Sequence, residues 1–181
     1  MYIGIDQSTP LRIFFWRVTA AHVITYFLAG VVAYNFLGYE ELFGSEPFSH
    51  FMKPIGSKAV AAGPALQMIR GLIISAVLWP FRSVFLESRY GWTYLWGLLF
   101  GLSILSTAAA APGSVEGFIY TTIPPEKQLI GYVEVVPQTL AFSLIVFYWY
   151  KRPRRLWNIL AVILVSLILL MSTMALLIPV R

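Results

Sequence analysis

Five nearly uninterrupted apolar runs, at residues 13–37, 59–81, 92–111, 129–150 and 156–178, leave this chain few ways to fold. A helix of roughly 20 residues spans the ~30 Å hydrocarbon of a bilayer, and each run reaches or exceeds that length. The predicted class is therefore all-α: a polytopic helical membrane protein, one domain over 1–181, built as a bundle of about five transmembrane helices. A β-barrel is disfavoured because the runs are continuous rather than alternating. Composition agrees, since only 12% of residues are charged, against about 25% in soluble domains. The first run is too long for the apolar core of a cleavable signal peptide and lacks a clear small-residue cleavage site, so it is read as a retained span.

The net charge of +5 is unevenly distributed. Arg12 and Arg17 flank or open the first run, Arg82 and Arg89 follow the second, and Lys151, Arg152, Arg154 and Arg155 separate the fourth from the fifth. The alternate connections carry Glu40, Glu41, Glu46, Lys53 and Lys58, then Glu116, Glu126 and Lys127. By the positive-inside rule this pattern puts the N-terminus in the cytoplasm and the C-terminus outside, in a multi-pass protein of the cell membrane. Trp92, Tyr94 and Trp96, Tyr148 to Tyr150, and Trp157 stand where rings anchor helices at headgroup depth. The basic cluster from Lys151 to Arg155 reads as a topology determinant in a tight turn rather than as a lipid-recruiting patch.

Small residues indicate which faces meet. Ala59, Gly63, Gln67, Gly71 and Ser75 recur every four residues in the second run, and close backbone approach is the usual reason for such a stripe in a membrane. Gly97 and Gly101, with Ala108 beyond them, suggest packing for the third run. Gly131, Glu134, Gln138 and Ala141 share a face of the fourth by i, i+3 and i+4 spacing. The fifth run is apolar on all sides and is expected at the periphery.

Arg70 and Glu134 lie inside apolar runs, where an ionisable group costs roughly 2.5–3.5 kcal/mol on insertion scales and is a functional candidate with a partner to be found. Counting 1.5 Å per residue puts Glu134 about 8 Å and Arg70 about 16 Å below the outer boundary. A start at Pro64 would bring them closer, so an Arg70–Glu134 ion pair is expected, with Gln67 and Gln138 as neighbours. His22, sharing a face with Thr25 and Ala29, completes the pocket. Pro137 removes a helical hydrogen bond next to Glu134 and leaves the carbonyl of Val133 in need of a partner.

The connection 112–128 is too apolar for a plain solvent loop. Val115, Phe118, Ile119, Tyr120 and Ile123 fit a lid that carries Glu116 toward the site, with a segment lying on the headgroups as the main alternative. Gly113 and Gly117 permit a tight path. The segment 44–58, with Phe48, His50 and Phe51, offers a second cover.

No cofactor or metal centre is expected: cysteine is absent, two histidines are too few for bis-histidine haem pairs or a histidine-rich iron cluster, and no HExxH spacing occurs. No phosphate loop, nucleophile elbow or nucleic-acid stripe is present either. The leading expectation is a polar intramembrane pocket for recognition or passage of a small solute, ion or proton. The bilayer is one partner, and a homo-oligomer or a partner membrane subunit is another. The alternatives are a non-catalytic subunit of a larger membrane complex and an intramembrane enzyme acting on a lipid, with Glu134 or Glu116 as acid or base.

Overall fold

Prolines mark where the long helices begin and end. In the computed structural model, which describes residues 9–105 and 110–177, α1 (Leu11–Phe36) starts after Pro10, whose carbonyl accepts the N–H groups of Ile13 and Phe14. Gly38, at φ 60°, then turns the chain into the short α2 (Tyr39–Gly44). A 3-10 turn follows at Phe48–His50, and α3 (Lys58–Ala61), capped by the Ser57 hydroxyl, leads into α4 (Gly63–Leu78). Pro64 occupies the first turn of α4, where its missing N–H costs nothing. A π-helical turn at Ser83–Glu87 precedes α5 (Gly91–Leu105). After α6 (Val115–Tyr120), α7 (Pro125–Lys151) begins on the second residue of Pro124-Pro125, and α8 (Arg155–Leu177) completes the described chain.

Every regular element among the described residues is helical, and the five longest coincide with the five apolar runs. Three of them, α1, α7 and α8, are long and apolar enough to cross a membrane. Of the other two, α4 is shorter than expected. The second run is interrupted at Ala62 and stops at Leu78, ahead of Pro80, leaving α4 with 16 residues. The third begins at Gly91 and has 15 described residues; its expected end, including Ala108, lies outside the described residues, as does Ile178 of the fifth.

The central element is α1, packed against α4, α7 and α8, while α5 packs on α7 and on the π-helical turn. On α1 the buried stretch Val18 to Val23 touches everything around it, whereas Leu28, Val32 and Phe36 nearer its C-terminus are exposed. Phe14, Leu78, Leu86, Leu95 and Phe147 fill one cluster, and Val23, Trp149, Val165 and Ile168 a second. Helix α8 buries only the seam Ala161, Val165, Ile168 and Ser172, as a peripheral, lipid-facing helix should.

The small-residue stripe of the second run is the α1–α4 contact. A Cβ on Gly71 would lie 2.9 Å from Thr19 Cα, so only glycine permits this approach. Ser75 is fully buried beside it, its hydroxyl within 3.3 Å of Thr19 Oγ1 and 3.2 Å from the Phe15 carbonyl. Gly97 and Gly101 differ: a Cβ on either meets nothing within 4 Å among the described residues.

Alternate connections gather at opposite ends. At the basic end Lys151 Nζ donates to the Ser88 carbonyl at 2.9 Å, and the Tyr150 hydroxyl reaches Glu87 Oε1 at 3.3 Å. Arg82 stacks over Trp79 at 4.2 Å. At the other end Lys127 Nζ donates to Ser45 Oγ at 3.0 Å and to the Glu46 carbonyl at 2.7 Å.

Candidate functional site

The polar groups of α1, α4 and α7 lie in a seam that starts beside Thr19 and Ser75 and leads toward the Lys127 end. In α4, Gln67 stands one turn before Gly71, so the close approach that buries Gly71 also carries Gln67 to α1. Its amide nitrogen donates to the Gly63 carbonyl at 3.4 Å, which turns Oε1 toward His22 Nε2 at 3.0 Å. An amide oxygen only accepts, so in this arrangement His22 carries its proton on Nε2 and Nδ1 remains the site where a proton can be gained. His22 is buried, with Phe142 edge-on to its ring and the Tyr26 ring centroid 6.1 Å away.

Tyr26, one turn along α1, lies within electrostatic reach of both Arg70 and Glu134. Glu134 itself is half-buried on α7, and its Oε2 accepts from the Tyr39 hydroxyl at 2.5 Å. Burial first, and the bond to Glu134 second, push the Tyr39 phenol well above the ordinary tyrosine range. The phenol therefore stays a donor to the carboxylate.

The expected Arg70–Glu134 ion pair does not form. Among the described residues the one ion pair is His50 with Glu46, at 2.7 Å on the surface. Arg70 is exposed, and the physical reason is rotation. Gln67, Gly71 and Ser75 face α1, and Arg70, one residue before Gly71, is about 100° off that stripe. Its charge acts on His22 and Tyr26 from a distance. Gln138, one turn beyond Glu134, is half-buried and makes no hydrogen bond among the described residues.

Two connections lie at the Lys127 end. Helix α6 packs on α5 and α7, with Glu116 exposed on it. It is tied to α7 by Gln128, whose Oε1 accepts from the Gly113 N–H at 3.1 Å and whose Nε2 donates to the Ile123 carbonyl at 2.7 Å, and by Tyr132, which donates to the Gly113 carbonyl. Gly113 has φ 84°, the tight path anticipated for it. Val115, Phe118, Ile119 and Tyr120 are exposed, whereas Ile123 is buried. The segment after α1 reaches the site, with Tyr39 on Glu134 and Lys127 holding Ser45 and Glu46.

Tyr39 and Tyr26 are the site residues that the sequence reading missed. Tyr26 follows His22 by four residues and so shares its face, a usable signal. Tyr39 carried none, because its role depends on the turn at Gly38.

Among the described residues no group of three or more His, Asp or Glu side chains is placed to hold a metal ion. Compared with known protein families, curated proteins and solved structures, the chain matches none. The geometry offers two ionisable groups, His22 and Glu134, with a tyrosine beside each and a distant guanidinium.

Proposed function

We propose that this is a multi-pass membrane protein that binds or passes a proton, ion or small solute along the seam from Glu134 to His22. The observation that carries the reading is the Tyr39–Glu134 bond. A carboxylate on a helix long and apolar enough to cross a membrane is engaged by a phenol from the connection outside. Ionisable groups at such positions are costly and mark ion or proton paths. Glu134 is the group that titrates or holds a cation, and Tyr39 stabilises its charged form. Protonation of Glu134 replaces a charge-assisted bond with a weaker neutral one and loosens the segment after α1. Tyr26 bridges the distance to His22, Gln67 fixes the imidazole, and Arg70 supplies counter-charge from the rim.

In this reading five helices cross the cell membrane, with the basic end and the N-terminus in the cytoplasm and the C-terminus outside. The gathering of alternate connections at opposite ends supports that topology. Arg70, Glu134, Gln67, Gln138 and His22 border the path, and Glu116 lies apart from it.

The test is flux in reconstituted liposomes, read with an internal pH dye and with a cation-selective dye. Wild type should dissipate an imposed gradient; Glu134→Gln should abolish this, and His22→Gln should slow it at least tenfold. Flux equal to that of protein-free vesicles, or unchanged in Glu134→Gln, would overturn the reading.

A second reading has its own support. Gly97 and Gly101 present small-residue positions that nothing among the described residues covers, as expected of a non-catalytic subunit docking a partner helix. Co-purification with a membrane protein, lost in Gly97→Leu, would favour it.

A further inference from the structure

The basic end carries a groove that the polar seam does not use. It runs between α1, α7 and α8, holds about 490 Å³, and is walled by Ile24, Leu144, Ile145, Leu160 and Leu164. That volume lies within the roughly 300–1,000 Å³ usual for ligand sites. Arg152 and Arg154 line it as well, together with Trp157. Both arginines are exposed, and neither has a carboxylate or hydrogen-bond partner among the described residues, whereas neighbouring Lys151 is bound to Ser88. Pro153 between them ends the continuity of α7 with α8, so the two guanidiniums lie at the mouth of the groove.

An occupant must therefore be apolar along most of its length and anionic at one end. We infer that the groove binds an anionic glycerophospholipid, with an acyl chain along the α7–α8 wall and its phosphate between Arg152 and Arg154. Rings at Tyr148, Trp149 and Trp157 suit this depth, since amphipathic aromatics settle where acyl chain meets headgroup. A second membrane helix fits less well, because apolar contact alone would leave both arginines without counter-charge. The sequence alone favours a topology role for this cluster; the groove beside it gives the two arginines a second use. The inference is independent of the transport reading, as none of these residues lies on the seam.

The experiment is native mass spectrometry of the full chain released from detergent after titration with phosphatidylglycerol or phosphatidylcholine of identical acyl chains. Wild type should retain phosphatidylglycerol preferentially. Arg152→Gln with Arg154→Gln should cut that retention about fivefold per arginine, from the contribution of a basic residue near an anionic surface. Filling the groove with Leu164→Trp should lower retention of both lipids. Equal retention of the two lipids by wild type would overturn the inference without recourse to any variant. Three further results would overturn it: competition by inorganic phosphate as strong as by the lipid, retention unchanged in Leu164→Trp, or a dimer that excludes lipid from the groove.

Discussion

The Tyr39 hydroxyl and Glu134 Oε2, 95 residues apart in the chain, stand 2.5 Å apart in the fold. This bond joins the segment after α1 to the middle of a membrane-length helix. Helix α7 presents the carboxylate, and the turn at Gly38 presents the phenol.

Removing the phenol should weaken the end of the bundle that the bond closes. Tyr39→Phe deletes a hydrogen bond to a carboxylate, a loss of about 1.5–3 kcal/mol. Chemical denaturation in micelles should show it, and Glu134→Gln should add little to it, because without the phenol the carboxylate has no bond to Tyr39 left to weaken. Fully additive losses would mean that the two side chains act separately.

The same bond sets a dependence on alkaline pH. Because the folded-state pKa of Tyr39 is raised, its contribution is complete below the unfolded tyrosine value of about 10 and declines as pH climbs above that toward the folded value. Wild type should thus lose more stability above pH ~10 than Tyr39→Phe does. Tyrosinate absorbance should show the late-ionising component reduced by one residue in the variant. Superimposable stability profiles for the two proteins would refute the assignment.

Glycines that look alike in sequence should respond differently. Gly71→Ala forces a methyl group to 2.9 Å from the Thr19 backbone, and overpacking of this kind costs about 1–3 kcal/mol. Gly97→Ala and Gly101→Ala meet open space and should be neutral or stabilise by up to about 1 kcal/mol, the helix preference of alanine over glycine. Thermal melts of the purified chain distinguish the two classes.

Arg70 should prove energetically separate from Glu134. With no ion pair between them, Arg70→Met should change stability by no more than about 0.5 kcal/mol. Its coupling to Glu134→Gln in a double-mutant cycle should be near zero. A coupling above about 1 kcal/mol would show that the pair forms in the bilayer.

The topology can be tested simply because the chain has no cysteine. Ser83→Cys and Arg154→Cys should react with an impermeant maleimide from the cytoplasmic side. Ser49→Cys and Thr122→Cys should react from the other side. Labelling of Ser49→Cys and Ser83→Cys from the same side would remove the five-crossing arrangement.

The five apolar runs made the five long helices legible, since hydropathy reports which segments are helical and apolar. The stripe of Gly63, Gln67, Gly71 and Ser75 also revealed the face of α4 that meets α1. Followed one step further, that stripe would have corrected Arg70: a residue adjacent to Gly71 cannot share its direction. The Tyr39–Glu134 bond was not legible, because it depends on how a short helix after a left-handed turn is set against a helix far away in sequence. Nor could periodicity decide which connection covers the seam, since both 44–58 and 112–128 are apolar enough to do so.

The length of α4 has a consequence for the lipid around the protein. Its 16 residues measure about 24 Å at 1.5 Å per residue, some 6 Å less than an average hydrocarbon layer. Where α4 crosses, hydrophobic mismatch must be absorbed on that flank alone, by local thinning of the bilayer or by headgroups drawn inward. The 26-residue α1 and 23-residue α8 impose no such strain. On the proposed five-crossing topology the bundle would be thinner at α4 than at α8, and Arg70, exposed on α4, would lie on that thinner flank.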